Sequence, residues 1–566
     1  MTLHYQAKEL NLPLGRIQDA DIKIWMAIIG MLLYAVYVLT TLTDKPKIKG
    51  IYEIPNGRPI VGHLLQLGED HATVCEGWWR KYKRSVFQIR LGNTRAVVVN
   101  SFDDCTRMLI GHQSAVIDRP TLYTFHGIIS STQGFTIGSS PWDNSCKNKR
   151  KAAGQTLGRP ALKTYHPMFD LESRTIIRDL VRDSNGGETY LEIRPYLQRY
   201  GLNTTLTLCY GIRMDSVWDD MLREVLEVGS AISLLRSASE NYQDYIPLLR
   251  YMPNNEKTQR GRSLRDRRDK YLNELLDRVR DMIEKGTDKP CVSAAILKDE
   301  ETKLSGVEVS SICLSLVSGG FETIPGTLTS CIGSLSTPEG QAFQERAFED
   351  IKRHYPNVED AWARSLEVED VPYVNAIVKV EHAAWAGPFG TDADTVAQEA
   401  ARYYTVSAMS LPRKAYTDIE WDGAIIPKGT MILINAQAAN HEVEHFGPDA
   451  GTFNPERWLQ SLSPPEEIPS SGLQHHSFGG GARACSGQLI ASRLLYTALV
   501  RLICSFKIVP SETEPPNTDY VDYNQFKSAL VAIPRGFKVK LIPRDVDSTA
   551  RCMKQAEART RDAYVE

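Results

Sequence analysis

Phe478-Gly479-Gly480-Gly481-Ala482-Arg483-Ala484-Cys485-Ser486-Gly487 is the stretch on which the reading of this chain turns. Three consecutive glycines permit backbone conformations closed to other residues. Small residues flank Cys485, so a large planar group can approach the backbone there. Arg483, two residues earlier, is placed to meet a carboxylate. The mainly apolar run from Leu489 to Ile503 reads as a helix beginning just after Cys485. A cysteine at a helix N-terminus has its thiolate stabilised by backbone N–H groups and the helix dipole. Residue by residue, the loop is either a glycine-rich turn around an inert thiol or a site built around a thiolate.

Two further patterns lie upstream. Residues 311–330 (SICLSLVSGGFETIPGTLTS) form an apolar helical pattern carrying Gly319, Gly320, Glu322 and Thr323. Paired glycines thin a helix, and Pro325 removes a helical N–H and promotes a kink. By itself this is either a plain core helix or a helix that offers an acid and an alcohol to a buried site. Glu399-Ala400-Ala401-Arg402 places opposite charges three residues apart, on one helix face. Arg457 follows in Phe453-Asn454-Pro455-Glu456-Arg457-Trp458. An ordinary surface ion pair would look the same.

Taken together, these stretches resemble the cytochrome P-450 superfamily. The cysteine loop matches Phe-x-x-Gly-x-Arg-x-Cys-x-Gly at every fixed position, and Gly319 to Thr323 matches Ala/Gly-Gly-x-Asp/Glu-Thr. The resemblance spans about residues 50 to 545. It implies a mainly α fold with small β-sheets around haem b, with Cys485 as axial ligand of the iron. Thiolate ligation pushes electron density to the metal and favours O–O cleavage. Arg483, and Arg413 in Leu411-Pro412-Arg413, are implied propionate contacts. Phe478 packs beside the sulfur, and Gly487 closes the motif. Glu322 and Thr323 become the catalytic acid and alcohol, and Glu399, Arg402 and Arg457 a structural lock. The family usually has a second hydroxyl residue after the threonine, where this chain has Ile324. Many relatives also carry Trp-x-x-x-Arg toward a propionate. Here Cys146 stands four residues after Trp142, with Lys147, Lys149 and Arg150 nearby.

Asp118-Arg119-Pro120, the run from Ser131 to Gly138, Ser140-Pro141-Trp142-Asp143 and the run from Gly286 to Cys291 are similar to fungal phenylacetate hydroxylases. This implies insertion of one oxygen atom into a small aromatic substrate, phenylacetate-like or a cresol-like phenol. Such chemistry belongs to aromatic catabolism or fungal secondary metabolism. Electrons would come from NADPH through a membrane-bound flavoprotein reductase. Residues from about 115 to 140 should roof the pocket, with Phe321 facing it. Alternatives are action on another secondary-metabolite intermediate, a reductase-independent peroxide rearrangement, or an inactive haem-poor product. The acid–alcohol pair argues against the rearrangement.

Bulk properties agree with a globular enzyme. Of 566 residues, 42% are hydrophobic and 24% charged, with net charge −3. The near-neutral balance and the lack of a basic, aromatic-interleaved patch exclude nucleic acid as an expected partner. Ten scattered cysteines, with no Cys-x-x-Cys, point to free thiols in a reducing compartment rather than zinc. Asn203-Thr204-Thr205 is a glycosylation sequon inside a helical pattern and is read as chance.

Within residues 1–43, Ile24 to Leu42 is uncharged and as a helix spans roughly 28 Å, close to the hydrocarbon thickness of a bilayer. Lys45, Lys47 and Lys49 follow it, which by the positive-inside rule keeps the body cytosolic. The expectation is a single-pass anchor at about 22–42 in the endoplasmic reticulum membrane, touching lipid; a buried core helix is the alternative. Residues 44–62 read as a Pro-rich hinge, 63–545 as the catalytic domain and 546–566 as a polar tail. Residues 85–100 read as a hairpin, about 105–355 as mostly helical, and 419–426 and 430–434 as strands.

One segment breaks the pattern. A helix from Tyr373 to Lys379 should run straight into Glu399, yet Val380 to Gln398 intervene, with the helix breaker Gly387-Pro388. Nineteen codons suit a short fungal intron, a valine codon begins GT, and a glutamine codon can end in AG. The segment is therefore expected to be a retained intron.

Overall fold

The structure, a computed structural model, describes residues 19–42, 46–253, 255–299, 304–378, 399–460 and 474–561. The suspected insertion, Val380–Gln398, lies outside the described residues. Helix α1 (Asp19–Leu42) contains the uncharged run, and its Trp25, Met26, Leu32, Leu33 and Tyr34 are exposed. The expected hairpin is β1 (Val86–Leu91) and β2 (Thr94–Val99), antiparallel with Leu91 opposite Thr94. Gly92 turns it with φ +55°, and a Cβ there would lie 2.1 Å from the Tyr245 carbonyl oxygen. Left-handed backbone and close approach both demand glycine at that point.

Helices then dominate: α2 (Asn144–Leu157), α3 (His166–Asp183), after short β3 (Tyr190–Glu192) α4 (Arg194–Tyr210), α5 (Asp220–Leu234), α6 (Glu256–Lys285), α7 (Gly306–Gly320), α8 (Thr323–Ser336), α9 (Pro372–Val378) and α10 (Glu399–Tyr404). The strands β4 (Arg413–Lys414), β5 (Ile419–Trp421), β6 (Ala424–Ile426) and β7 (Met431–Ile434) follow, then α11 (Gln488–Ser505), β8 (Phe506–Pro510), β9 (Lys538–Pro543) and α12 (Val546–Thr560). Residues 419–426 resolve into the hairpin β5–β6, turned by Asp422 and Gly423 at positive φ. One sheet runs β1-β2-β7-β4, a second β3-β9-β8. In the first, β2 lies parallel to β7, pairing Val97 with Ile432 and joining the N-terminal hairpin to a strand distant in sequence.

Helix α11 runs through the centre. Leu494, Leu499, Leu502 and Ile503 are fully buried, each worth roughly 1.5–3 kcal/mol against exposure. It packs against α3, α8 and α9, so the cysteine loop at its N-terminus adjoins a deeply buried helix.

The segment expected to be a polar tail instead forms α12, docked on α3. Asp545 caps it, accepting from the Ser548 N–H, and Thr549, Cys552, Ala556 and Thr560 form its buried face. These are small or weakly apolar residues, so the helical stripe is present but faint in hydropathy. Arg559 bonds Asp170 at 2.7 Å, and Asp170, 2% exposed, also holds Arg501 at 2.8 Å. Asn203 is fully buried in α4 and bonds the Glu172 carboxylate and the Met214 backbone, which closes the sequon to glycosylation.

Asp170 therefore serves two arginines of very different exposure. Asp170→Asn should destabilise the protein by about 3–5 kcal/mol, because it leaves the fully buried Arg501 charge uncompensated. Arg559→Ala, at a partly exposed partner, should cost at most about 1 kcal/mol. Denaturant unfolding of the two variants measures the difference, and equal losses would contradict it.

Candidate functional site

A cavity of about 390 Å³ lies between α7–α8, the cysteine loop and the segment that follows β2. Cys485 opens into it; the other nine cysteines are buried elsewhere. Its N–H donates to the Phe478 carbonyl at 3.0 Å, which closes the loop. Gly479 and Gly481 turn the chain at φ +69° and +62°, and a Cβ on Gly481 would meet the Leu109 carbonyl oxygen at 2.1 Å. Burial pushes the Cys485 thiol up, while the Gly487 N–H and the Arg150 guanidinium pull it back. Gly487 precedes α11 and has open space where a side chain would be. Phe478 lines the same wall.

Four guanidiniums converge on one rim. Arg483 donates to the carbonyls of Ile117, Ile137, Gly138 and Ser140, and Arg413 to that of Gly480. Arg119 donates to those of Leu411 and Pro412, and Arg150 to that of Ala482. Burial pushes all four down, Arg413 to about 9, and like charges add to this at Arg119, Arg413 and Arg483. The Nε atoms of Arg119 and Arg483 are buried without a partner. Such a cluster lacks anionic charge, and a group with two carboxylates fits it. Of the three basic residues after Cys146, Arg150 reaches the cavity. Lys149 turns inward to Phe135, Ser140 and Ser311, and Lys147 lies over the Trp142 ring. The sequence reading missed Arg119, whose Asp118-Arg119-Pro120 setting carried no charge signal.

Opposite the cysteine, the helix breaks. α7 ends at Gly320 and α8 starts at Thr323, just ahead of Pro325. The two glycines have separate uses. Gly319 has nothing within 4 Å of its Cβ position and faces open space. Gly320 faces α4, where a Cβ would meet Thr205 Cγ2 at 2.2 Å. The Thr323 hydroxyl donates to the Gly319 carbonyl at 2.6 Å. Burial raises the Glu322 carboxyl to about 7, although the hydroxyls of Ser230 and Ser233 and the Arg236 charge lower it. Its Oε1 is left without a hydrogen-bond partner. Phe321, expected to face the pocket, does reach the cavity lining. Most of its ring nevertheless packs into α5, where a Cβ on Gly229 would lie 2.3 Å from it. Residues 115–140 supply Arg119, Phe125, Thr136, Ile137 and Gly138 to the wall.

The structure brings Glu399, Arg402 and Arg457 together. Glu399 and Arg402 are fully buried and pair at 2.6 Å, and Arg457 Nε reaches Glu399 Oε1 at 3.2 Å. Trp458 Nε1 and the Asn454 N–H also donate to Glu399, contacts the charge pattern did not suggest.

The split between the glycines can be tested. Gly320→Ala should destabilise the protein by about 1–3 kcal/mol through overpacking against Thr205. Adding Thr205→Ser removes the obstructing methyl and should recover most of the loss. Gly319→Ala should cost about 1 kcal/mol or less. Thermal unfolding checks all three, and no recovery in the double variant would contradict the packing account.

The cytochrome P450 family model matches residues 53–379 and 393–541, leaving 380–392 unmatched. The chain is 46% identical over 523 residues to phenylacetate 2-hydroxylase of Emericella nidulans, covering 92% of this chain and 95% of that protein. It is 36% identical to 3-hydroxyphenylacetate 6-hydroxylase of the same organism, covering 87% and 88%, and 35% identical to a cytochrome P450 monooxygenase of Mycosarcoma maydis. With a thiol opposite an acid–alcohol helix break, four arginines on the cavity rim and a family match over most of its length, this chain belongs to the cytochrome P450 family.

Proposed function

We propose that the protein is an NADPH- and O2-dependent haem-thiolate monooxygenase that hydroxylates a small aromatic substrate, phenylacetate-like or a cresol-like phenol. The observation that carries this reading is the single cavity shared by Cys485, Glu322 and Thr323. Haem b would be held by the Cys485 sulfur on its iron, by Arg119, Arg150, Arg413 and Arg483 around its two propionates, and by Phe478 and Gly487 beside the sulfur. When bound, it supplies oxygen activation. Thr323 holds a hydroxyl at the helix break, tethered to Gly319. Glu322, ionising near neutral pH, can take up and release protons there. Phe125, Leu530 and Val531 give the cavity apolar walls suited to an aromatic ring. The 46% and 36% identities to two arylacetate hydroxylases support the substrate class.

The exposed apolar side chains of α1 support an anchor in the endoplasmic reticulum membrane, with the catalytic domain on the cytosolic side beside a membrane-bound reductase. Residues 380–398 read as a retained intron. The family match breaks after residue 379 and resumes at 393, within the segment, and Ile377, Val378 and Ala400 on either side share one apolar core.

The reduced protein should give the carbon-monoxide difference band of a thiolate-ligated haem, and Cys485→Ser should abolish it. With a reductase and NADPH, phenylacetate or a cresol should yield a ring-hydroxylated product; absence of both band and product would overturn the reading. Glu322→Gln should slow turnover by about 10²-fold or more. It should also remove an inflection near pH 7, below which the wild-type carboxyl is protonated.

Removing Val380–Gln398 should raise haem content per chain. A transcript that retains these codons as the main species, together with unchanged haem content after deletion, would contradict the intron reading.

A further inference from the structure

The four rim arginines all donate to backbone carbonyls. A fifth cavity arginine does not. Arg236 stands just beyond the end of α5, on the Glu322 side of the cavity rather than among the carbonyls of the cysteine loop. Its guanidinium carbon lies 3.9 Å from the Phe125 ring centroid. Stacking on an aromatic face fixes the guanidinium plane and leaves its in-plane N–H donors unused. Among the described residues no carboxylate lies within ion-pair distance, and no acceptor bonds its side chain. Glu322 is the acid whose charge it feels, but the two form no ion pair. Burial lowers Arg236 only to about 10, so it remains a cation. A second cavity, of about 120 Å³, shares Arg236, Val406, Ser410 and Leu530 with the first. Arg236 therefore stands where the two spaces meet.

Arg236 adds its charge to that of the rim, where it is felt by Arg119, but an oriented, partly desolvated guanidinium that no acceptor among the described residues engages is poorly matched to a neutral phenol. It is well matched to a planar anion, which it can bind through two parallel N–H donors. We propose that Arg236 is a specificity-determining residue that anchors the carboxylate of an arylacetate-type substrate, with the aromatic ring directed toward the space between Cys485 and Thr323. This rests on the monooxygenase reading above and deepens it by choosing the acid over the neutral phenol. Gly229 and Phe321 support the arrangement, because the ring packed into α5 fixes the wall from which Arg236 projects.

The test is spectral titration of the haem-loaded protein with phenylacetate, phenylacetamide and p-cresol, in wild type, Arg236→Gln and Arg236→Lys. Phenylacetamide has nearly the shape of phenylacetate without its charge. Wild type should bind the acid at least about tenfold more tightly than the amide. Arg236→Gln should weaken the acid by about 30-fold or more, as for a desolvated charge pair that loses one partner, and leave the amide within about threefold. Arg236→Lys should recover part of the acid affinity, since it restores the charge without the bidentate fork. The carbon-monoxide band of each variant verifies that the haem site is intact. Acid binding unchanged in Arg236→Gln, or acid and amide weakened alike, would overturn the role of Arg236. Wild type that binds p-cresol but not phenylacetate would overturn it too, while leaving the monooxygenase reading in place. Wild type that responds to none of the three would overturn the aromatic substrate class itself.

Discussion

The buried carboxylate of Glu399 is the interaction on which the rest of the structure hangs. It accepts from Arg402, Arg457, Trp458 and the Asn454 backbone, so a short helix, the following meander and an indole converge on two oxygen atoms. The arginines satisfy their other donors on carbonyls of Asn440, Phe446, Ala450 and Thr452. A buried ion pair offsets its desolvation only when nearly every donor and acceptor is matched. That condition is met here.

The network also reaches the chemistry. Asn440, whose carbonyl receives Arg402, donates to the Ser477 hydroxyl and accepts from the His476 N–H. Ser477 returns to the Ala401 carbonyl in the lock helix. Phe478 comes next, and its carbonyl holds the Cys485 N–H. The thiol is thus positioned from one side by the lock and from the other by the buried helix α11. Helices α9 and α10 pack against each other, so the two helices that residues 380–398 separate in sequence meet at the lock.

Charge is distributed around the cavity with the same economy. Four arginines crowd one rim, where burial lowers each of them and like charge adds to this at Arg119, Arg413 and Arg483. On the opposite wall the helix breaks at Phe321 and Glu322. There α4 presses against Gly320 while Gly319 stays open. The break lifts Glu322 out of a regular helical position and into surroundings dry enough to bring its ionisation near neutrality.

The sequence by itself located the residues that carry a local mark. Cys485 in its glycine loop, Glu322-Thr323 before Pro325, and the Glu399, Arg402 and Arg457 set were all legible, because fixed spacing and special backbone needs leave a local mark. The hairpin at Gly92 was legible for the same reason. Tertiary structure alone decided what depends on contacts between distant segments: Arg150 rather than Lys149 at the rim, Arg119 beside it, Trp458 on Glu399, and the docking of α12 through small side chains with little hydropathy. It also decided that Arg236 is a cavity arginine whose side chain no acceptor among the described residues engages. A guanidinium that finds an acceptor and one that does not look alike in a sequence, because the difference lies in which carbonyls the fold brings within reach.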